Sequence, residues 1–129
     1  MKTSALIGPA LDWAVAKCEG FSNLRMNPHR YAAFLIMTSP RANYGPVLLA
    51  NLDYSTNWSQ GGPIIERERI EIKRGNPLYF PKDTIEINDY YELLWLADKH
   101  YGPTPLIAAM RAYVASKLGN EVEIPEELE

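Results

Sequence analysis

The stretch Tyr54-Ser55-Thr56-Asn57-Trp58-Ser59-Gln60-Gly61-Gly62 gathers hydroxyls, amides and two rings around a glycine pair, without a formal charge. Hydroxyls and amides supply donors and acceptors, while the flat faces of Tyr54 and Trp58 suit a base or a sugar. Paired glycines let a backbone come close to a ligand and turn its N–H groups outward. The candidate binding loop is therefore Tyr54, Ser55, Thr56, Asn57, Trp58, Gln60, Gly61 and Gly62. The competing expectation is a rigid connector in which Trp58 plugs the core.

Arg111 is the second candidate. At helical spacing its neighbours are Ile107, Ala108, Ala112 and Ala115. Such small residues leave room for a carboxylate or phosphate against the guanidinium, unless it is simply an exposed helix arginine. Thr104 stands where the same helix should begin, and a helix N-terminus favours anions, although Pro103 and Pro105 remove donors there. Between Glu19 and Asp53 no carboxylate occurs, while Arg25, His29, Arg30 and Arg41 do. Sharing one face, these groups would draw anions; otherwise they form a solvated basic surface.

Catalytic and metal signatures are missing from the sequence. There is no GxxxxGK, GxGxxG, HExxH or GxSxG pattern. His29 and His100 each lack a second ligand at metal spacing, so no metal and no cofactor are expected. Ser55 and Ser59 have no histidine close by in sequence, and Cys18 falls on an apolar stripe where its thiol should be inert. The alternating charges of Glu66 to Arg74 suit a solvent-facing strand.

These residues need elements to position them. One helix is expected from about Pro9 to Glu19, with Gly20 as its left-handed stop and Leu11, Ala14, Val15 and Cys18 as its buried stripe, widened by Trp13. Another should run from Pro105 to Leu118, capped by Thr104 and ended by Gly119. Tyr31–Thr38, Val47–Asp53, Ile70–Lys73 and Ile85–Ile87 look like strands, and Glu121–Ile124 like a short edge strand. Pro63 would open a single helical turn through Arg67. Residues 89–102 carry both a capping-box pattern, Asp89 with Glu92, and an alternation through Tyr91, Leu93 and Trp95; the local signals lean to helix. The fold class is α+β: a single domain over residues 1–129, with a small, mostly antiparallel sheet packed by an N-terminal and a C-terminal helix.

At 129 residues, 47% hydrophobic and 22% charged, the chain has the make-up of one globular domain. A single cysteine excludes an internal disulfide. The net charge of −3 argues against nucleic acid as a partner. Five glutamates crowd into residues 121–129, an acidic tail; the rest of the chain is slightly basic. The opening Lys2 and ALIGPAL imitate a secretory signal, but Gly8-Pro9, Asp12 and Trp13 break the pattern. No apolar run is long enough for a membrane span, so a cytoplasmic protein is expected.

Three blocks, Gly8–Lys17, Tyr54–Glu68 and Gly102–Leu128, look like the phage NinX-like family, small proteins of tailed phages and prophages. The blocks fall in the family's order and cover about half the chain; Phe21–Asp53 and Lys73–Tyr101 carry no pattern of this kind. The resemblance implies a phage setting and a cytoplasmic accessory role, without a reaction. Together these readings lean away from an enzyme, towards a non-enzymatic binder of a small anionic, nucleotide-like ligand, such as a signal of host defence. The alternatives are a module that inhibits or redirects a host protein through Trp58, Tyr54 and the tail, and a nucleotide-processing enzyme using His29 or a glutamate as base. A homodimer is left open.

Overall fold

The computed structural model describes residues 1–28, 34–41, 43–74, 95–97 and 99–129. Among these, three α-helices flank two small antiparallel sheets. The C-terminal helix, Pro105–Leu118, has the bounds its end signals predict and is labelled α3. Thr104 Oγ1 accepts from the Ile107 amide at 3.1 Å, Pro105 sits in the first turn, and Gly119 ends the helix at φ 89°. Every residue from Leu106 to Val114 is buried. A helix covered on all sides is a central rod. The first helix, α1 (Gly8–Cys18), lies against it, buried from Ala10 to Ala16 and closed by Gly20 at φ 98°. Trp13 belongs to the core, as its place beside the stripe suggests.

The sheets flank this pair. The first orders β1 (Ser22–Asn27), β2 (Phe34–Thr38) and β3 (Val47–Leu48), with Ile36 opposite both Arg25 and Leu48. β1 lies in a segment for which the sequence offered no element. The expected strand 47–53 stops after two residues, because a 3-10 turn, Leu49–Asn51, folds Leu49 into the core. The second sheet orders β4 (Ile72–Arg74), β5 (Trp95–Ala97) and β6 (His100–Gly102). Where described, the ambiguous segment is thus strand. Its alternation outweighs the capping signal because Trp95–Ala97 pairs on both sides and Ala97 packs into the core. The expected strand Ile85–Ile87 and residues 31–33 lie outside the described residues.

The largest departure from expectation is α2 (Trp58–Glu68), a helix of 11 residues where a loop and a single turn were predicted. Asn57 caps it, its Oδ1 accepting from the Ser59 amide at 2.9 Å. Gly61, Ile64, Ile65 and Glu68 recur at helical spacing on its inner side, and Ile64 is fully buried. Pro63 inside the helix has no N–H to donate to the carbonyl of Ser59 four residues earlier, an exposed residue. Gly61 is needed for close packing: a Cβ there would stand 2.6 Å from Leu106 Cδ1 on α3 and 2.6 Å from the Tyr54 carbonyl.

The two ends of the described chain meet. Met1 and Val122 exchange two main-chain hydrogen bonds of 2.9 Å, and Lys2 pairs antiparallel with Glu121. Thr3 donates from its amide to Asn120 O (2.8 Å) and from Oγ1 to Gly119 O (2.7 Å). Residues 121–124 alternate exposed and buried, with Val122 and Ile124 in the core. The acidic segment therefore begins as a docked, extended stretch. Glu121 makes an isolated bridge in place of the expected edge strand.

Candidate functional site

The helix changes what the polar residues between 53 and 60 can offer. Gln60 Oε1 accepts from the Asp53 amide (3.0 Å) and its Nε2 donates to Asn51 O (2.8 Å). Asn57 Nδ2 donates to Asp53 Oδ1 at 3.2 Å, and the Ser55 amide donates to Asp12 Oδ1 at 2.8 Å. Thr56 reaches back to the Asp53 carbonyl at 3.5 Å. These groups build the turn and the helix start. The Gly61 amide bonds Asn57 O (2.9 Å), so the glycine pair does not turn its N–H groups outward. Trp58 is 53% exposed on the first turn of α2, contrary to a plug in the core.

Arg111 is not the exposed helix arginine of the second expectation. It is 7% exposed, and its Nε donates to Leu6 O at 2.8 Å while Nη1 donates to Tyr101 O at 3.1 Å. The guanidinium thus joins the chain entering α1 to β6 through α3. Thr104 serves as the cap of α3. Neither Trp58 nor Arg111 lines any of the three cavities described below.

Tyr54 does line one. A cleft of about 380 Å³ opens beside it, walled by Glu19 and Phe21 after α1, by Arg41 and Tyr44 from the β2–β3 connection, and by Val47 of β3. The Arg41 guanidinium lies 5.8 Å from the centre of the exposed Tyr44 ring, and no described carboxylate pairs with it. Burial, with the Glu19 charge adding to it, pushes the Tyr54 phenol up to about 12, so it stays a neutral donor. The Glu19 charge is answered from elsewhere. Arg67 grips both carboxylate oxygens (3.0 and 2.8 Å), and the Tyr113 hydroxyl donates to Oε2 at 2.6 Å. Burial works to raise the Glu19 carboxyl, and these partners outweigh it, holding it below the ordinary range. Of the basic stretch, Arg25 bonds Asn23 O and Thr38 Oγ1, and only Arg41 reaches the cleft; His29 and Arg30 lie outside the described residues.

A larger groove, about 710 Å³, runs along α1 and the first sheet, with Asp12 among its lining residues. Asp12 is buried, has no cation beside it among the described residues, and bonds the Ser55 amide. Burial raises its carboxyl above the ordinary value, opposed by the Ser55 hydrogen bond and aided by Asp53. The folded protein therefore keeps this proton to higher pH than the unfolded chain, and stability falls as pH rises through that interval. Asp12→Asn, which preserves the acceptor, should raise the thermal midpoint at neutral pH, with the gain vanishing below the ordinary carboxylate range. Equal midpoints of the two proteins at neutral pH would refute that burden.

A family model described as bacteriophage P22, NinX matches residues 2–117. The chain belongs to this family. The match runs through the stretches that carried no recognisable pattern and ends before the acidic segment, whereas the resemblance extended to Leu128. No curated protein matches the chain. The NinX-family protein has, among its described residues, no helix long and apolar enough to cross a membrane. Nor do the described residues hold a group of three or more His, Cys, Asp or Glu that could bind a metal. His100 shares a polar hollow of about 430 Å³ with Glu68, Ser116 and Asn120, but the Ser116 hydroxyl donates to its own helix at Tyr113 O (2.7 Å).

The NinX-family sequence held two signals for features first read otherwise. Asn57 followed three residues later by Gln60 is a capping pattern, masked by the Gly-Gly-Pro after it. Arg111 is the one charged side chain between Pro105 and Ser116, a run otherwise too apolar for an exposed helix.

Proposed function

We propose that this NinX-family protein is a non-enzymatic phage accessory binder that sequesters a small, anionic, ring-bearing ligand of nucleotide type in the Tyr54–Tyr44–Arg41 cleft. The observation that carries the reading is the meeting, in one cleft of about 380 Å³, of three rings and an arginine without a carboxylate partner among the described residues. That volume falls in the usual range of ligand sites, roughly 300–1,000 Å³. Phe21, Tyr44 and Tyr54 offer faces for a base, Arg41 a fork for phosphate, and the Tyr54 hydroxyl a donor. Glu19 does not repel the anion strongly, because Arg67 and Tyr113 already occupy its oxygens. In a phage setting, tight capture of a host's nucleotide signal needs no turnover.

The test is a thermal-shift screen with cyclic dinucleotides, nicotinamide-derived sugars and mononucleotides, followed by titration of any compound that raises the midpoint. Arg41→Ala and Tyr44→Ala, both at exposed positions, should each weaken the binding about tenfold or more while leaving the unliganded midpoint unchanged. Ligand recovered chemically unchanged supports a binder; a converted product would overturn that part of the reading. Affinity indifferent to both substitutions would remove the cleft from consideration.

A further inference from the structure

The groove along α1 differs in character from the cleft. Its rim displays Ile7, Met26, Phe34 and Leu48, apolar side chains between 39% and 55% exposed. Exposed apolar side chains gathered around one groove are the material of an interaction surface. Its polar lining is acidic: Asp12 from α1, and Glu127 and Glu129 from the chain's last residues. No basic side chain lines it among the described residues. An anion would be repelled here, so the ligand proposed for the cleft does not belong in this groove.

Asp12 gives the groove its specificity. A buried carboxylate without a cation is costly, and a partner that delivers one recovers the loss as a desolvated, hydrogen-bonded pair. Beside it the Ser55 hydroxyl, 1% exposed, has no partner in hydrogen-bonding geometry. A second copy of the chain is a poor occupant. Two-fold pairing of the grooves would set Asp12, Glu127 and Glu129 of each copy against the same acids of the other.

We infer that the groove is a docking site for an apolar, helix-forming segment of another protein that carries a lysine or arginine to meet Asp12. Apolar side chains at successive helical turns would seat among Ile7, Met26, Phe34 and Leu48, and Glu127 and Glu129 would attract flanking basic residues.

The experiment uses the full chain and a fluorescent amphipathic peptide with leucines at helical spacing and one lysine between them. Its twin carries glutamate at the lysine position. The lysine peptide should bind saturably, and the twin about tenfold or more weaker. Asp12→Asn, expected to fold normally, should reduce the difference between the twins. Leu48→Glu, at an exposed position, should abolish binding of the lysine peptide. Absence of binding, equal affinity for both peptides, or sedimentation as a dimer that Leu48→Glu dissociates would each overturn the inference. Loss of nucleotide binding in the cleft would leave it standing, because the variants and probes are separate.

Discussion

Alanine at position 61 should destabilise the protein by about 2–3 kcal/mol, lowering the thermal midpoint by roughly 10 °C, the penalty for forcing atoms into a packed contact. The same substitution one residue later should do the opposite. A Cβ on Gly61 would stand 2.6 Å from both Leu106 Cδ1 and the Tyr54 carbonyl, and a backbone oxygen cannot rotate away as a side chain can. A Cβ on Gly62 meets nothing closer than Trp58 Cε3 at 4.0 Å, an ordinary contact. Gly62→Ala therefore gains the helix-interior difference between glycine and alanine, about 0.5–1 kcal/mol. Denaturant unfolding of both variants checks the pair. Shifts of the same sign would mean that α2 does not lie as close to α3 as described.

Arg111→Met should cost about 2–4 kcal/mol, and Arg111→Ala more, because the methionine keeps most of the volume and neither keeps the donors. The carbonyls of Leu6 and Tyr101 would be left without their guanidinium donors, each lost at the rate of an unsatisfied buried acceptor, roughly 1–3 kcal/mol. The readout that separates a clamp from a ligand group is affinity. Folded Arg111→Met protein should bind a cleft ligand as the parent does. An unchanged unfolding midpoint together with lost binding would return Arg111 to the ligand site.

Much of the scaffold was legible because its signals are local. Thr104, Pro105 and Gly119 bracket α3 as the sequence suggests, and Pro9 and Gly20 bracket α1 to within a residue. Where tertiary contacts decide, the sequence misled. Gly-Gly-Pro signals a turn on its own, yet it lies inside α2, where its first glycine lets Leu106 pack close. The expected strand after Val47 ends early because Leu49 and Leu52 turn inward to the core. For the site, the polar composition around Tyr54 was visible, but the use of its amides on Asp53, Asn51 and Asp12 depends on residues up to 43 positions away. Tyr54 lines the cleft of the proposed site, and there Arg41, seen only as part of a basic stretch, is given the part first assigned to Arg111.

The pairing of the first three residues with residues 119–122 bears on how the molecule is assembled during synthesis. Hydrogen bonds there span 116 to 121 positions, so nearly the whole chain must be gathered before they can form. While a ribosome is still making α3, residues 1–3 lack the main-chain partners that Gly119, Asn120 and Val122 later supply, and the guanidinium that holds Leu6 is only then being made. Residues 1–3 therefore cannot dock until residues 119–122 have followed them out of the ribosome.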